Sequence, residues 1–362
     1  MRLGSNEAES WGDGSTSPKL FKKKVAILLH DGVKGVYGKT GLALLRFSNA
    51  SIVAVIDRQC AGESLPQLTG INRNVPIVGT VEEALNYAPS VLVIGIAPSG
   101  GILPIEWLAE IKQAIAAGLS IVNGLHTPMK TMPEFQTLKS GQWIWDVRKE
   151  PSNIEVASAK AQTLSCHRFL TVGTDMGIGK MSTSLELHKA AQKQGMRSHF
   201  IATGQTGIMI SGDGVALDAV RVDYAAGAVE QLVMRYGDCD ILHVEGQGSL
   251  LHPGSTATLP LIRGTQPTAL ILVHRAGQTN VRNHPNVLIP PLTEVVKLYE
   301  TVATAGGAFK AVKVKAIALN TAHLDENMAQ DAIAQVQKET QLPCTDPVRF
   351  GAEILLNAGK TN

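Results

Sequence analysis

Residues 169–180 read FLTVGTDMGIGK, a short apolar run that leads into a glycine-rich loop ending in Lys180. The residues after this lysine have a helical pattern as far as Gln194, and Gly195 follows as a stop signal. Glycines allow backbone N–H groups to turn toward a phosphate, the start of the helix adds positive potential, and the lysine adds a charge. A strand, such a loop and a helix in this order predict a P-loop.

Short aliphatic and β-branched runs recur on both sides of this loop and alternate with helical patterns, which is typical of parallel α/β sheets. These predicted strands cover residues 25–29, 52–56, 75–78, 91–96 and 120–123 in the first half, and 169–172, 198–202, 240–245, 268–274 and 314–320 in the second. A polar run at residues 148–152 separates the halves. We therefore predict an α/β fold with a disordered lead-in at 1–20, a Rossmann-like parallel-sheet domain at 21–150, and a P-loop NTPase-like α/β domain at 151–362.

The composition argues against several classes of partner. The formal net charge is only +2 and aromatic residues make up 4% of the chain, so we predict no nucleic-acid partner. The longest apolar run, residues 91–96, is far shorter than the roughly 20 residues of a transmembrane helix, so we predict no membrane partner. The four cysteines form no CxxC pair, which predicts reduced thiols in a cytoplasmic protein. We also expect a homo-oligomer.

The P-loop departs from the common G-x4-G-K-[ST] pattern in two ways. It is one residue longer and begins Gly-Thr-Asp, and in this it resembles dethiobiotin synthetase and its relatives, as does the segment at residues 244–248. The common motif places Ser or Thr after the lysine, where the hydroxyl meets Mg²⁺, but this chain has Met181 there. Ser182 comes one step later, and one step along a helix turns a side chain by about 100°. Metal-assisted phosphoryl transfer is therefore disfavoured and we predict no metal site; if Mg²⁺ is used, Ser182 and Glu245 are its predicted ligands.

Segments spread over most of the chain resemble the D-glutamate N-acetyltransferase-like family. They lie at residues 55–57, 61–62, 123–126, 146–148, 173–181, 202–207, 212–215, 245–250, 252–253 and 346–347. The methionine after the P-loop lysine is also a feature of that family. The resemblance implies a Rossmann-like and a P-loop domain, with acetyl-CoA as co-substrate and D-glutamate or a similar acidic amino acid as the small-molecule partner. Coenzyme A carries phosphates, so a P-loop can hold it without hydrolysing anything.

The predicted coenzyme-binding residues follow from the P-loop and from the end of a later strand. They are Gly173, Thr174, Asp175, Gly177, Gly179, Lys180, Met181, Ser182 and Asn320. Acyl transfer to an amine also needs a base. We predict Glu245 in this role because it ends a buried strand beside two glycines, with Asp213 and Gln205 as further catalytic candidates. A structural carboxylate held by loop amides is the alternative for Glu245.

The predicted substrate-binding residues lie at strand ends, where a parallel sheet places its ligand crevice. Glycines there permit close approach of the backbone, and Arg275 can clamp a carboxylate with its planar fork. The set is Thr203, Gly204, Thr206, Gly207, Gln247, Gly248, His252, Arg275, Asn123 and His126.

Two further functions stay open at this point. The Gly-Thr-Asp loop suits an ATP- and Mg²⁺-dependent ligase or kinase of the dethiobiotin synthetase type, and the two-domain layout suits a non-catalytic nucleotide sensor. An NAD site at residues 32–39 and Asp57 is disfavoured, because the loop is not G-x-G-x-x-G.

Overall fold

The computed structural model of the chain describes residues 20–97, 101 and 103–361. All but the last residue of the expected lead-in lie outside this range. The chain divides into two compact units: the first holds residues up to Ser152 together with Ile208–Ala219, and the second holds Asn153–Gly207 and Val220 onward. Each unit contains one parallel six-stranded sheet, which confirms the predicted fold class.

The sheet of the first unit has the strand order β3-β2-β1-β4-β5-β6, the order of a Rossmann fold. Its strands are β1 Lys24–Leu28, β2 Ser51–Ile56, β3 Ile77–Val78, β4 Val91–Ile94, β5 Ser120–Asn123 and β6 Ile144–Asp146. Its helices are α1 Lys39–Phe47, α2 Leu65–Thr69, α3 Val81–Leu85 and α4 Leu108–Ala116. The strand β6 was not predicted, because three residues are too few to display a periodicity.

The sheet of the second unit has the order β12-β11-β10-β7-β9-β8. Its strands are β7 His167–Gly173, β8 Ser198–Ile201, β9 Ile241–Val244, β10 Ala269–Arg275, β11 Val314–Asn320 and β12 Cys344–Thr345. The remaining helices are α5 Lys180–Lys193, α6 Gln205–Ser211, α7 Val222–Arg235, α8 Thr258–Thr265, α9 Leu292–Thr304, α10 Glu326–Thr340 and α11 Glu353–Lys360. Of these, α6 begins in the second unit and ends in the first.

Strand β7 lies in the middle of the second sheet and carries the glycine-rich loop at its carboxyl end. It pairs with β10 on one side, where Gly173 is opposite Val273, and with β9 on the other, where Leu170 is opposite Val244. All three strands are parallel, so their carboxyl ends meet at one edge of the sheet. The topology therefore brings the P-loop, Glu245 and Arg275 to the same edge.

The core beneath this edge consists of aliphatic strand residues covered by two helices. Phe169 of β7 packs with Leu187 of α5 and Leu355 of α11, and all three are buried. A Cβ at Gly359 would meet the ring of Phe169, so glycine allows α11 to approach the sheet closely. Because both faces of the sheet are covered, the central strands are apolar throughout instead of alternating.

Among the helices at residues 20–97 and 103–361, none has the length and apolar character needed to cross a bilayer.

Candidate phosphate-binding and catalytic site

Side chains from three neighbouring elements hold the P-loop in shape. The Tyr299 hydroxyl donates to the carbonyl oxygen of Gly173 at 2.7 Å, and the Asn320 amide donates to the carbonyl oxygen of Ile178 at 2.9 Å. Thr174 is buried and its hydroxyl is 2.9 Å from Nδ1 of His274 at the end of β10. These three bonds fix the loop from outside.

The carboxylate of Asp175 joins the P-loop to the loop that follows β10. It is buried and accepts three hydrogen bonds: from the backbone N–H of Met176 at 2.7 Å, from the Gln278 amide at 2.6 Å and from the backbone N–H of Arg282 at 2.6 Å. Its oxygens therefore bind protein groups. Together with Thr174, this explains what the Gly-Thr-Asp start of the loop does: both side chains attach β10 and its following loop to the P-loop.

Lys180 is buried at the start of α5, and its amino group donates to the carbonyl oxygen of Asp175 at 2.5 Å. Burial lowers the pKa of this lysine to about 8, while Asp175 and Glu245 act in the opposite direction. In the part of the chain that the structure describes, the backbone N–H groups of Gly177, Ile178 and Gly179 have no acceptor. Unpaired N–H groups at a helix start next to a lysine form an anion-binding site.

Glu245 follows directly after β9 and is buried. Its Oε2 accepts the backbone N–H groups of Thr203 at 2.9 Å and Gly204 at 3.2 Å, and its Oε1 accepts the Gln247 amide at 3.0 Å. Burial raises the pKa of Glu245 to about 7, although these three donors and Lys180 favour the charged form. A carboxyl group with a pKa near neutrality can take up and release protons under ordinary conditions.

The glycines of this region make room for polar and charged side chains of the protein itself. A Cβ at Gly207 would overlap Oε2 of Glu245, and a Cβ at Gly204 would overlap the Gln247 amide. A Cβ at Gly246 would overlap the Thr171 carbonyl oxygen and would lie 2.9 Å from Cδ of Lys180. The sequence analysis expected these glycines to admit a ligand, whereas the structure shows that they admit Glu245, Gln247 and Lys180.

The other predicted residues of the second unit lie on α5, on α6 and in the loop that follows β9. Gln205 and Thr206 begin α6, and Met181 and Ser182 are half-buried in the first turn of α5. Gly248 adopts a left-handed conformation with φ of 68°. His252 is half-buried, accepts the backbone N–H of Gly254 at 3.1 Å and packs against the ring of His284.

A cleft of about 330 Å³ opens beside the P-loop and contains the predicted residue Arg275. Arg282 and His323 also line it, and the sequence analysis did not single them out. Arg282 belongs to the loop after β10, and His323 follows β11 by three residues. Such residues can be found in the sequence as basic residues in the loops that follow the strands of a parallel sheet, because these loops surround the ligand crevice.

Asn123, His126 and Asp213 are in the first unit, whereas Glu245 and Lys180 are in the second. Asn123 is buried and donates to Asp146 at 2.7 Å, which fixes the turn that carries His126. His126 is exposed and its Nε2 is 3.9 Å from a carboxylate oxygen of Asp218. Asp213 accepts the backbone N–H of Gly214 at 2.8 Å.

The buried carboxylate of Asp57 also accepts protein donors. The backbone N–H groups of Asp31 at 3.3 Å and Val33 at 3.0 Å bind it. These hydrogen bonds to Asp57 give no support to an NAD site, which the sequence of the loop at residues 32–39 already disfavours.

A P-loop beside a buried strand-end glutamate, with a Rossmann-type sheet in the preceding unit, defines a two-domain α/β protein of the P-loop class. The chain belongs to the DUF1611 family. Residues 155–356 match the family's "P-loop domain" (DUF1611_C), and residues 58–150 match its "Rossmann-like domain" (DUF1611_N), both described as domains of unknown function.

Relatives of the chain include proteins with a named activity. A D-glutamate N-acetyltransferase from Tritonibacter scottomollicae is 38% identical over 282 residues, which cover 77% of this chain and 84% of the relative. A second protein of that name, from a Pseudoalteromonas species, is 35% identical over 294 residues, covering 80% and 85%. The crystal structure of a DUF1611 family protein from Anabaena variabilis has 68% identity and a TM-score of 0.92, and covers 94% of this chain and 100% of that one. The family resemblance seen in the sequence is thereby confirmed.

Proposed function

We propose that this protein is an N-acetyltransferase that moves the acetyl group of acetyl-CoA to the amine of D-glutamate or a similar acidic amino acid. The observation that carries the proposal is the buried Glu245, with a pKa of about 7, beside a P-loop that has Met181 in place of the magnesium-binding hydroxyl. The names of the two relatives at 38% and 35% identity support the same reaction.

The P-loop has the groups needed to hold the pyrophosphate of coenzyme A. The unpaired N–H groups of Gly177, Ile178 and Gly179 can donate to phosphate oxygens, and the Lys180 ammonium can exchange its bond to Asp175 for one to phosphate. A phosphate contact also stabilises the charged form of Lys180, which burial disfavours. In this role the loop binds and positions the coenzyme and takes no part in bond making.

Glu245 has one acceptor position left for the substrate. A carboxylate offers about four lone-pair sites; Oε2 uses two for Thr203 and Gly204, and Oε1 uses one for Gln247. Gln247 is only half-buried, so it lies on the solvent side of the Glu245 carboxylate. We propose that a rotation of Gln247 exposes Oε1 to the substrate amine.

The reaction then needs one base and no metal. Glu245 takes a proton from the substrate ammonium, and the free amine attacks the thioester carbonyl carbon. The new C–N bond forms, the C–S bond of the tetrahedral intermediate breaks, and the nitrogen gives up its second proton. The coenzyme leaves as a thiolate that takes up this second proton, and Glu245 releases the first proton to solvent, so acetyl-CoA and the amino acid give coenzyme A, the N-acetyl amino acid and one proton.

Thiol release tests this proposal directly. The purified protein is incubated with acetyl-CoA and, in separate reactions, with D-glutamate, L-glutamate, D-aspartate and D-alanine, and the acetylated product is identified by its mass. We expect release of free thiol with D-glutamate and little with D-alanine. No release with any acidic amino acid would refute the proposal.

The ATP-dependent reaction is measured in the same samples. Its predicted Mg²⁺ ligands are Ser182 and Glu245, but Met181 occupies the usual position of the magnesium-binding hydroxyl, and Glu245 has a single acceptor position left after three hydrogen bonds from protein groups. We therefore expect no ADP formation on addition of ATP, Mg²⁺ and D-glutamate. ADP formation that requires both Mg²⁺ and the amino acid would favour the ligase or kinase instead.

A further inference from the structure

The cleft beside the P-loop carries more positive charge than the P-loop needs. Arg275, Arg282 and His323 line it, and the side chains of all three are exposed. Within the residues that the structure describes, none of the three forms an ion pair with an acid. Two arginines without an acidic partner around one concave surface indicate an anionic ligand.

The acidic side chain in the cleft does not compensate this charge. Of the described residues that line the cleft, Asp175 alone is acidic, and its carboxylate is buried under the donors from Met176, Gln278 and Arg282. The exposed arginines therefore have no carboxylate facing them from the lining residues. This arrangement leaves two guanidinium groups and one imidazole available for a ligand.

The chemistry of the coenzyme supplies a second anion beyond the pyrophosphate. ATP carries all its phosphates in a single chain on the 5′ side of the ribose, so a P-loop accounts for all of them. Coenzyme A carries a pyrophosphate in that position and a separate phosphate ester on the ribose 3′ oxygen. With a second pKa near 6, this monoester has a charge close to −2 at neutral pH. Planar guanidinium forks match phosphate oxygens particularly well.

We propose that Arg275, Arg282 and His323 bind the ribose 3′-phosphate of coenzyme A, and that the protein thereby selects coenzyme A over nucleotides without that phosphate. This inference rests on the proposed use of acetyl-CoA and gives the coenzyme site a determinant of specificity. It assigns Arg275, which the sequence analysis expected to clamp a substrate carboxylate, to the coenzyme.

The P-loop itself positions these cations. The hydrogen bond from the backbone N–H of Arg282 to Asp175 holds this residue next to the loop, and the bond between Thr174 and His274 holds the residue that precedes Arg275. Because both bonds are anchored on the P-loop, the backbone at Arg275 and at Arg282 keeps a fixed position beside the pyrophosphate site. Such preorganisation suits two phosphates that are joined by a rigid ribose.

Acetyl-CoA and acetyl-3′-dephospho-CoA are compared as donors for D-glutamate. For the wild-type protein we expect a KM about 10- to 100-fold higher for the dephospho donor, with kcat unchanged, because the missing contacts are charge-assisted. In the Arg275→Ala/Arg282→Ala variant the KM for acetyl-CoA should rise to that of the dephospho donor. The Arg282→Lys variant keeps a positive charge at this position, so its KM for acetyl-CoA should lie between that of the wild-type protein and that of the double variant.

A matched variant removes an arginine elsewhere in the second unit. Arg197 is exposed and bound by Asp238 and Asp240 at the amino end of the sheet, so Arg197→Ala should keep the wild-type ratio of the two KM values. Equal KM values for both donors in the wild-type protein would overturn the inference, as would a ratio that the double variant retains.

Direct binding separates this inference from the proposed reaction. The dissociation constants of coenzyme A and 3′-dephospho-coenzyme A are measured by calorimetry on the full chain. Tighter binding of coenzyme A, lost in the double variant, supports the inference even if no amino acid is acetylated, in which case only the proposed reaction fails. Equal binding of the two, or no binding of coenzyme A, overturns the inference.

Discussion

The amino group of Lys180 donates to the carbonyl oxygen of Asp175, which lies 2.5 Å away in the same loop. The carboxylate of Asp175 points the other way and accepts donors from the loop after β10. One residue therefore holds the P-loop lysine with its backbone and the backbone of Arg282 with its side chain. A change at this position should alter both the stability of the unit and its affinity for the coenzyme.

Replacing Asp175 by Asn tests this double role. An amide offers one acceptor oxygen in place of two, and its nitrogen faces donors, so at least one of the three hydrogen bonds is lost. We expect a loss of about 1 to 3 kcal/mol in unfolding free energy and a KM for acetyl-CoA raised by about 10-fold. Urea unfolding followed by circular dichroism and steady-state kinetics measure the two effects.

The control for this change is Asp331→Asn, on the exposed face of α10. It should leave both quantities unchanged. Asp175→Asn with the stability and KM of the wild-type protein would contradict the role assigned to the carboxylate.

The proposed base makes a prediction about rate and pH. A base acts when it is deprotonated, so kcat/KM should rise with pH through the pKa of Glu245, about 7. The Glu245→Gln variant should lose about 10²- to 10⁴-fold in kcat, and this rising limb should disappear from its pH profile. If the variant keeps most of its activity and the same limb, Glu245 is a structural carboxylate and another group is the base.

The same carboxyl group links stability to pH. Burial raises its pKa from 4.5 to about 7, so its protonated form is favoured by folding. This contribution is fully present below pH 4.5 and is lost as the pH rises through 7; at about 1.4 kcal/mol per pKa unit it amounts to about 3 kcal/mol. The wild-type protein loses this contribution between pH 5 and pH 8, whereas Glu245→Gln has no such group to titrate. The unfolding free energy of the variant minus that of the wild-type protein should therefore rise by about 2 to 3 kcal/mol over this range.

Denaturant unfolding at several pH values measures this difference. The exposed Glu134→Gln provides the control and should differ from the wild-type protein by the same amount at every pH. A difference between Glu245→Gln and the wild-type protein that does not change with pH would show that the buried carboxyl group does not titrate in this range.

Local patterns in the sequence were sufficient to predict the P-loop, both parallel sheets and the position of Glu245 at a strand end. They could not show that Asp175 binds Gln278 and Arg282, because these partners are 103 and 107 residues away in the chain and meet only through the pairing of β7 with β10. The two-residue strand β12 was missed for a simpler reason: it is too short to carry a pattern.

The glycines illustrate the same limit. Gly204 and Gly207 were predicted to let substrate approach the backbone, but the sequence does not identify which groups of the protein lie beside them. In the structure these groups are Gln247 and the carboxylate of Glu245, from a different strand end. A motif thus predicts the kind of backbone that a site has more reliably than it predicts which groups occupy that site.

The Lys180→Met variant separates two roles of the P-loop, because we propose that the loop holds acetyl-CoA and leaves the chemistry to other residues. Methionine keeps most of the buried side-chain volume and removes the charge. Lys189→Met, on the exposed side of the same helix, is the control and should behave as the wild-type protein.

The measurement is steady-state acetyl transfer to D-glutamate with acetyl-CoA as the varied substrate. Loss of one charge-assisted phosphate contact should raise the KM for acetyl-CoA roughly 10- to 150-fold, while kcat at saturation stays within about 3-fold of the wild-type value. A fall in kcat by orders of magnitude with an unchanged KM would mean that Lys180 stabilises the transition state and that the P-loop takes part in the chemistry.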